Sequence, residues 1–242
     1  MVKHSFIRRI AKHISSTPLH PQWFVFKEQN FTLERIKPFL CGKVLDIGCA
    51  DNYLEKLLNE DSQYIGIDYP TTADEMYHTT PTIYGDAHNL SIADSIIDNV
   101  ALLDVLEHLH TPDKCIKEIQ RVLKPNGALC LQVPFMYPIH DAPYDFHRWT
   151  IFGLTQLLIN HGFEIESAYS QGNISETFSL LTNIGLAKIS LKLISYTKLF
   201  IIMIPIISFL VLFINIVGSL LGRIFSDNSF MPYGYLLICR KK

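Results

Sequence analysis

The chain of 242 residues has no C-x-x-C pair, and its five cysteines, Cys41, Cys49, Cys115, Cys130 and Cys239, are an odd count lying mostly inside apolar runs. That is the distribution of buried thiols in a reducing compartment, and it excludes a disulfide framework and a cysteine-based zinc site. Histidine does not supply a metal site either: His108 and His110 are two apart and His140 and His147 seven apart, with no further carboxylate cluster in sequence, so no metal is expected. Positive charge is not in excess. A formal net charge of -2 at pH 7 gives no global field that would favour nucleic acid as a partner. Behind the basic residues of MVKHSFIRRIAKHI there is no unbroken apolar run, so the N-terminus reads as a basic amphipathic arm and not as a signal peptide, and the folded part is expected on the cytoplasmic side. Internal repeats and low-complexity tracts are absent.

What is present is 48% hydrophobic and 12% aromatic content, enough for one α/β domain with a full core and an appendage. From Lys43 onward short apolar runs alternate with helical patterns, the mark of a parallel sheet wound with helices. Strands are expected near 43–47, 64–68, 82–84, 97–103, 127–133, 163–169 and 233–240, and helices near 53–60, 113–124 and 150–161. In the second helix Ile116, Ile119, Val122 and Leu123 make one apolar stripe, and Pro125-Asn126-Gly127 ends it. Residues 1–40, broken by Pro18, Pro21 and Pro38, read as an N-terminal cap.

The run VLDIGCADN at 44–52 is a buried strand followed by a turn of small residues and then a helix. In an open α/β sheet ligands sit in the crevice beyond the strand ends, where such a turn lets them approach the backbone. Asp68 ends the next strand, YIGID, 22 positions after Asp46, about the distance at which nucleoside-binding folds offer a carboxylate to ribose hydroxyls. Asp86 follows the third strand in YGDAHNL. Three acids at three successive strand ends are hard to account for as turn or cap residues alone. A nicotinamide dinucleotide would need G-x-G-x-x-G to cradle its pyrophosphate, and here only Gly48 is glycine, with Ala50 and Asn52 at the later turn positions. S-adenosylmethionine, which carries no phosphate, makes a lighter demand.

VLDIGCAD, YIGID, GDAHNLSIADSIID and DVLEHLHTPDKCIKEIQRVLKPNG resemble, in order and spacing, the class I S-adenosylmethionine-dependent methyltransferases of the type 11 group, over roughly residues 40 to 170. The resemblance implies a Rossmann-like, seven-stranded, mostly parallel sheet with an antiparallel last strand. It also implies that Asp46 and the turn Gly48, Cys49 and Ala50 hold the methionine portion of the cofactor, that Asp68 and Tyr69 hold the ribose, that Asp86 and Ala87 face the adenine, and that Leu103 lies beneath the sulfonium. Where that group carries glycine, this chain has Ala50 and Asn52. Glu107 and His108, in DVLEHL, read as structural.

PFMYPIHDAPYDFHRWT at 134–150 concentrates polar and aromatic groups in a loop at a strand end, the usual location of working residues. It resembles an envelope-associated bacterial subgroup with Y-P-x-H-D-x-P-Y-D-F-x-R-x-T. His140 is the first candidate for a base, with Asp141 to orient it, and His147 with Asp145 forms a second pair. Tyr137, Tyr144, Asp145 and Arg148 are candidates for holding substrate, Arg148 through a phosphate or carboxylate. The competing structural reading has Asp145 paired with Arg148, Trp149 packed in the core and Thr150 capping the next helix.

The expected seventh strand, YGYLLICRK, waits until residue 233, and residues 199–222 before it carry no charged side chain. That length suffices to cross a bilayer if helical. A single crossing would put the last strand on the far side, so the expectation is an apolar helical insertion over 173–229, a hairpin bent near Pro205 or around Asn215 to Gly218, or a helix lying in the interface, with membrane association through 183–222. The methyltransferase domain would then comprise 41–172 and 230–242. The whole reads as a methyltransferase at the cytoplasmic face of the membrane, acting on oxygen of a lipid-linked or envelope-polysaccharide precursor. The alternatives are a cytoplasmic enzyme for a small soluble metabolite or quinone, a non-catalytic module keeping the fold, and an apolar hairpin buried in a homodimer.

Overall fold

In the computed structural model, which describes residues 14–242, the chain forms two compact units. The expected basic N-terminal arm lies outside the described residues. The first unit, the sheet unit, comprises residues 33–135, 139–169 and 234–242. The second, the helical unit, takes the described residues up to Thr32, residues 136–138 and 170–233.

The sheet unit holds a seven-stranded sheet in the order β3-β2-β1-β4-β5-β7-β6. Its strands are β1 (Lys43–Ile47), β2 (Gln63–Asp68), β3 (Ile83–Tyr84), β4 (Ile97–Leu103), β5 (Leu123–Pro134), β6 (Phe163–Gln171) and β7 (Gly234–Lys241). Strands β1 to β5 pair in parallel, and β7 runs antiparallel to β5. The fold is therefore the expected Rossmann-like one. Alternate residues go to opposite faces of a strand, and the core obeys this. Leu45, Ile47, Val100, Leu102, Leu129, Leu131 and Leu237 share one buried cluster, while Val44, Ala101, Cys130, Leu236 and Ile238 share another. Both faces are covered, as parallel sheets require.

Helix α1 (Trp23–Ile36) ends with the fully buried Ile36 on the second face. Helix α2 (Pro112–Val122) starts with Pro112 in its first turn and buries Cys115, Ile116, Ile119 and Val122 on the first face. Each fully buried aliphatic side chain there contributes about 2 kcal/mol. Helix α3 (Ile151–Asn160) is capped by Thr150, whose hydroxyl accepts from the Gly153 N–H at 3.2 Å, and buries Leu154 and Leu158. Two expectations shift. The segment after β1 is a short 3-10 turn, Tyr53–Leu57, because Asn52 before it is left-handed (φ 55°) and no long apolar stripe follows. Pro125-Asn126-Gly127 lies within β5 as an irregularity, with the register against β4 slipping between Ile97 and Asn99.

The helical unit contains a hairpin of two long helices, α4 (Ile174–Tyr196) and α5 (Ile204–Ile224), joined through Thr197 and a 3-10 turn over Lys198–Met203. The bend thus falls next to Pro205. Asn215 and Gly218 lie instead in mid-helix, facing α4. At the helix seam Asn183 and Asn215, both fully buried, are joined by an amide hydrogen bond of 2.9 Å, and the Asn215 amide also donates to the carbonyls of Pro18 and His20 at 2.8 and 3.0 Å. A Cβ on Gly218 would stand 2.1 Å from the Ser179 hydroxyl, so the close approach of the helices needs glycine there. The outer faces are the reverse: Ile202, Phe209, Phe213, Leu220 and Ile224 are all exposed.

Candidate active site

The strand order reverses between β1 and β4, and there the turn after β1 meets the turn after β4. Gly48 (φ 74°) is the contact: a Cβ at this position would lie 2.3 Å from a methyl carbon of Val105. Ala50 (φ 48°) and Asn52 (φ 55°) are also left-handed. These are the two positions where the resembling family carries glycine, and the backbone shows why: the turn keeps the conformation and bears the strain of a side chain at each.

Asp68 holds this turn shut. One carboxylate oxygen accepts from the Ala50 N–H at 2.9 Å and the other from the Tyr69 N–H at 2.7 Å. Burial pushes its pKa up, and those two N–H bonds hold it down. Each oxygen retains a second lone pair for a ligand hydroxyl. Asp46 is buried beside it and accepts from the Tyr64 hydroxyl at 2.8 Å. Burial, with smaller contributions from Asp68 and Asp51, raises its pKa to about 7 against the opposing Tyr64 bond. Cys49 offers no side chain to the crevice: it is buried, its thiol is pushed up to about 12 mainly by burial, and its N–H, like that of Gly48, is spent on the Ile67 carbonyl. Tyr69 is exposed, Ala87 and Leu103 are half-buried, and the exposed Asp86 is tied to His88, with its carboxylate 2.6 Å from Nδ1 and accepting from the His88 N–H at 2.9 Å. The three acids thus stand at the ends of adjacent strands on one rim.

The loop after β5 differs from expectation in its pairing. His140 is oriented by Asp145, whose Oδ2 lies 3.3 Å from Nδ1 and also accepts from the His140 N–H at 3.0 Å. Asp141 does not take that role: it is exposed, with φ 48°, and its carbonyl accepts from the Tyr144 N–H to close a turn. Asp145 pairs with Arg148 at 2.5 and 2.8 Å, and its side chain is 1% exposed, so it is not open to substrate and does not pair with His147. Burial works to raise the Asp145 pKa, but the Arg148 and His140 bonds bring it down to about 2. His147 stacks on Trp149 with ring centroids 5.0 Å apart, and Trp149 packs on the core. Tyr144 is 65% exposed and its carbonyl faces His108 Nδ1 at 2.8 Å. Tyr137 belongs to the helical unit, where its hydroxyl accepts from the Gln22 side chain.

Glu107 is the residue that the sequence undervalued. It is fully buried, neither carboxylate oxygen has a hydrogen-bond partner among the described residues, and its backbone carbonyl accepts from Phe146 and His147. The spacing Asp104-x-x-Glu107-His108 was the available signal, but nothing in one dimension places His140 opposite it.

Residues 45–131 match a family model described as a methyltransferase domain. Among curated proteins, a "Probable S-adenosylmethionine-dependent methyltransferase" of Mycolicibacterium smegmatis is 27% identical over 179 residues, 69% of this chain and 66% of that protein. One so named from Mycobacterium tuberculosis is 29% identical over 150 residues, 57% of this chain and 55% of that protein. The matches thus span less than two thirds of the length of either relative. The fold matches a crystal structure of a SAM-dependent methyltransferase from Archaeoglobus fulgidus with a TM-score of 0.53, 18% identity, and coverage of 90% of this chain and 99% of that one. The cofactor for which these relatives are named fits the residues of this crevice. The Gly48 turn keeps side chains out of the crevice, and buried carboxylates with unused lone pairs stand beside it.

Proposed function

We propose that this protein transfers a methyl group from S-adenosylmethionine to an oxygen of a lipid-linked or envelope-polysaccharide precursor at the cytoplasmic face of a membrane. S-adenosylmethionine, when bound, supplies an electrophilic methyl group on a sulfonium. The chain's own part is positional: Asp46 and the Gly48 to Ala50 turn receive the methionine end, Asp68 the ribose and Asp86 with Ala87 the adenine, leaving Leu103 under the sulfur. The acceptor is then held at near-attack distance, and its proton leaves through the polar cluster around Glu107 and His140.

The observation that carries the choice of substrate is the inverted pattern of the hairpin. Residues Ile174–Tyr196 and Lys198–Ile224 are both long and apolar enough to cross a bilayer: their most apolar 18-residue stretches have mean hydropathies of 1.2 and 2.9, with 22% and 11% of those stretches buried. Polar Asn183, Asn215 and Ser179 face inward while Phe209, Phe213 and Ile224 face outward. Water rewards the opposite arrangement; lipid rewards this one. A chain anchored in this way works where its acceptor is also held.

Membranes containing the protein, given methyl-labelled S-adenosylmethionine, should show label in the organic-extractable fraction. Label confined to a soluble metabolite or to protein would overturn the lipid-linked reading. Calorimetry that detects no S-adenosylmethionine binding, or binding untouched by Asp68→Ala, would overturn the enzymatic one.

A further inference from the structure

A carboxylate buried without a partner is costly, and a fold keeps one where something else compensates it. Glu107 faces two imidazoles: His108 Nε2 lies 3.6 Å and His140 Nε2 3.7 Å from its Oε1. Neither distance is a hydrogen bond. Both rings turn the same nitrogen inward because the other is engaged outward. His108 Nδ1 lies 2.8 Å from the Tyr144 carbonyl, an acceptor only, which makes that nitrogen the N–H and leaves Nε2 with its lone pair. His140 Nδ1 lies 3.3 Å from Asp145, and Asp145 is itself fixed by Arg148, whose Nη2 also approaches Nδ1 at 3.3 Å. The two rings cross edge to face, with centroids 4.8 Å apart, so that they converge instead of stacking.

We propose that Glu107, His108 and His140 bind one divalent first-row transition-metal ion of the zinc or manganese class. Their ligand atoms lie within 4.8 Å of one another. Around an ion with bonds of about 2.1 Å the ligand atoms stand roughly 3.0–3.5 Å apart, so the carboxylate-to-imidazole separations need close by only a few tenths of an ångström, while the two imidazoles must swing together by about an ångström. Imidazole nitrogens whose far side is held by a carbonyl or a carboxylate are the usual supports of metal ligands. Two nitrogens and one carboxylate oxygen favour transition ions over magnesium or calcium and leave coordination positions open. His108 and His140 are half-buried, which leaves a way in.

The ion's role, unlike its binding, rests on the function proposed above. An acceptor hydroxyl at an open position would release its proton to solvent more readily. Its oxygen then bonds to the methyl carbon as the carbon–sulfur bond breaks, the electron pair staying on sulfur.

The test uses the full chain, purified in detergent and stripped with EDTA, then titrated calorimetrically with Zn2+ and, separately, with S-adenosylmethionine. One equivalent of Zn2+ should bind with a Kd of about 10 μM or tighter, and cobalt substituted for it should show ligand-field bands of nitrogen coordination. Glu107→Gln and His140→Ala should each weaken Zn2+ binding at least 100-fold while changing S-adenosylmethionine affinity less than threefold, and His110→Ala should leave the metal site intact. Should a variant fold poorly, Zn2+ should still raise the Tm of the unmodified protein and not that of His108→Asn. Absence of a stoichiometric site in the unmodified protein, or unchanged Zn2+ affinity in the variants, overturns the metal site. Loss of S-adenosylmethionine binding with zinc binding intact overturns only the proposed function.

Discussion

Asp46→Asn should stabilise the protein progressively as the pH is raised, because the native carboxylate is buried and its pKa stands near 7 against an ordinary 3.8. The sign follows from proton counting. Below about pH 4 both folded and unfolded chains hold the proton and Asp46 costs nothing; between pH 4 and 7 only the folded state still holds it, so stability falls as pH rises; above pH 7 the loss is complete. A shift of roughly three units is worth about 4 kcal/mol in full, most of which falls between pH 5 and pH 8. Asparagine keeps a carbonyl to accept the Tyr64 hydroxyl, and whatever its amide costs in place of the second oxygen does not vary with pH. Thermal unfolding of both proteins, in one detergent at pH 5, 6, 7 and 8, should show the variant's Tm gaining about 5–10 °C on the unmodified protein across the series. The same variant should lose S-adenosylmethionine binding, since the acid is held at that cost for its ligand. If the two Tm curves run parallel from pH 5 to pH 8, the account of Asp46 as a strained, functional acid is wrong.

Three further outcomes follow from contacts described above. Gly48→Ala places a Cβ 2.3 Å from Val105 at a left-handed φ, and should cost about 1–3 kcal/mol in denaturant unfolding and abolish cofactor binding. Asp145→Asn breaks an ion pair whose carboxylate is 1% exposed, and should lower stability by about 3–5 kcal/mol in the same assay; a loss under 1 kcal/mol would mean that the loop is not held by Arg148. Asn215→Ala strands the Asn183 amide and the carbonyls of Pro18 and His20, and should cost about 1–3 kcal/mol and open the hairpin to protease; unchanged proteolysis would contradict the seam.

The sheet was legible because each strand is a short apolar run whose alternate residues serve different faces, and because Thr150 and Pro112 mark helix starts by local chemistry alone. The cofactor turn was legible in its acids and in its glycine, yet Ala50 and Asn52, read as departures, prove to be left-handed residues that preserve the turn. The loop at 140–148 was legible as a place but not as a wiring diagram. Asp141 and Asp145 are equally plausible partners for His140 in sequence, and only the chain reversal at Asp141 turns one outward and the other in. Glu107 was missed because burial and the absence of a partner are properties of three dimensions.

The sheet also has an order of assembly written into it. Strand β7 lies between β5 and β6, yet it follows both of them and the whole hairpin in the chain. Until β7 is in place, β5 has an open edge and β6 lacks its neighbour in the sheet. The sheet therefore cannot be completed in the order in which its strands occur along the chain: the pairing of β5 with β7 spans the whole of β6 and the hairpin.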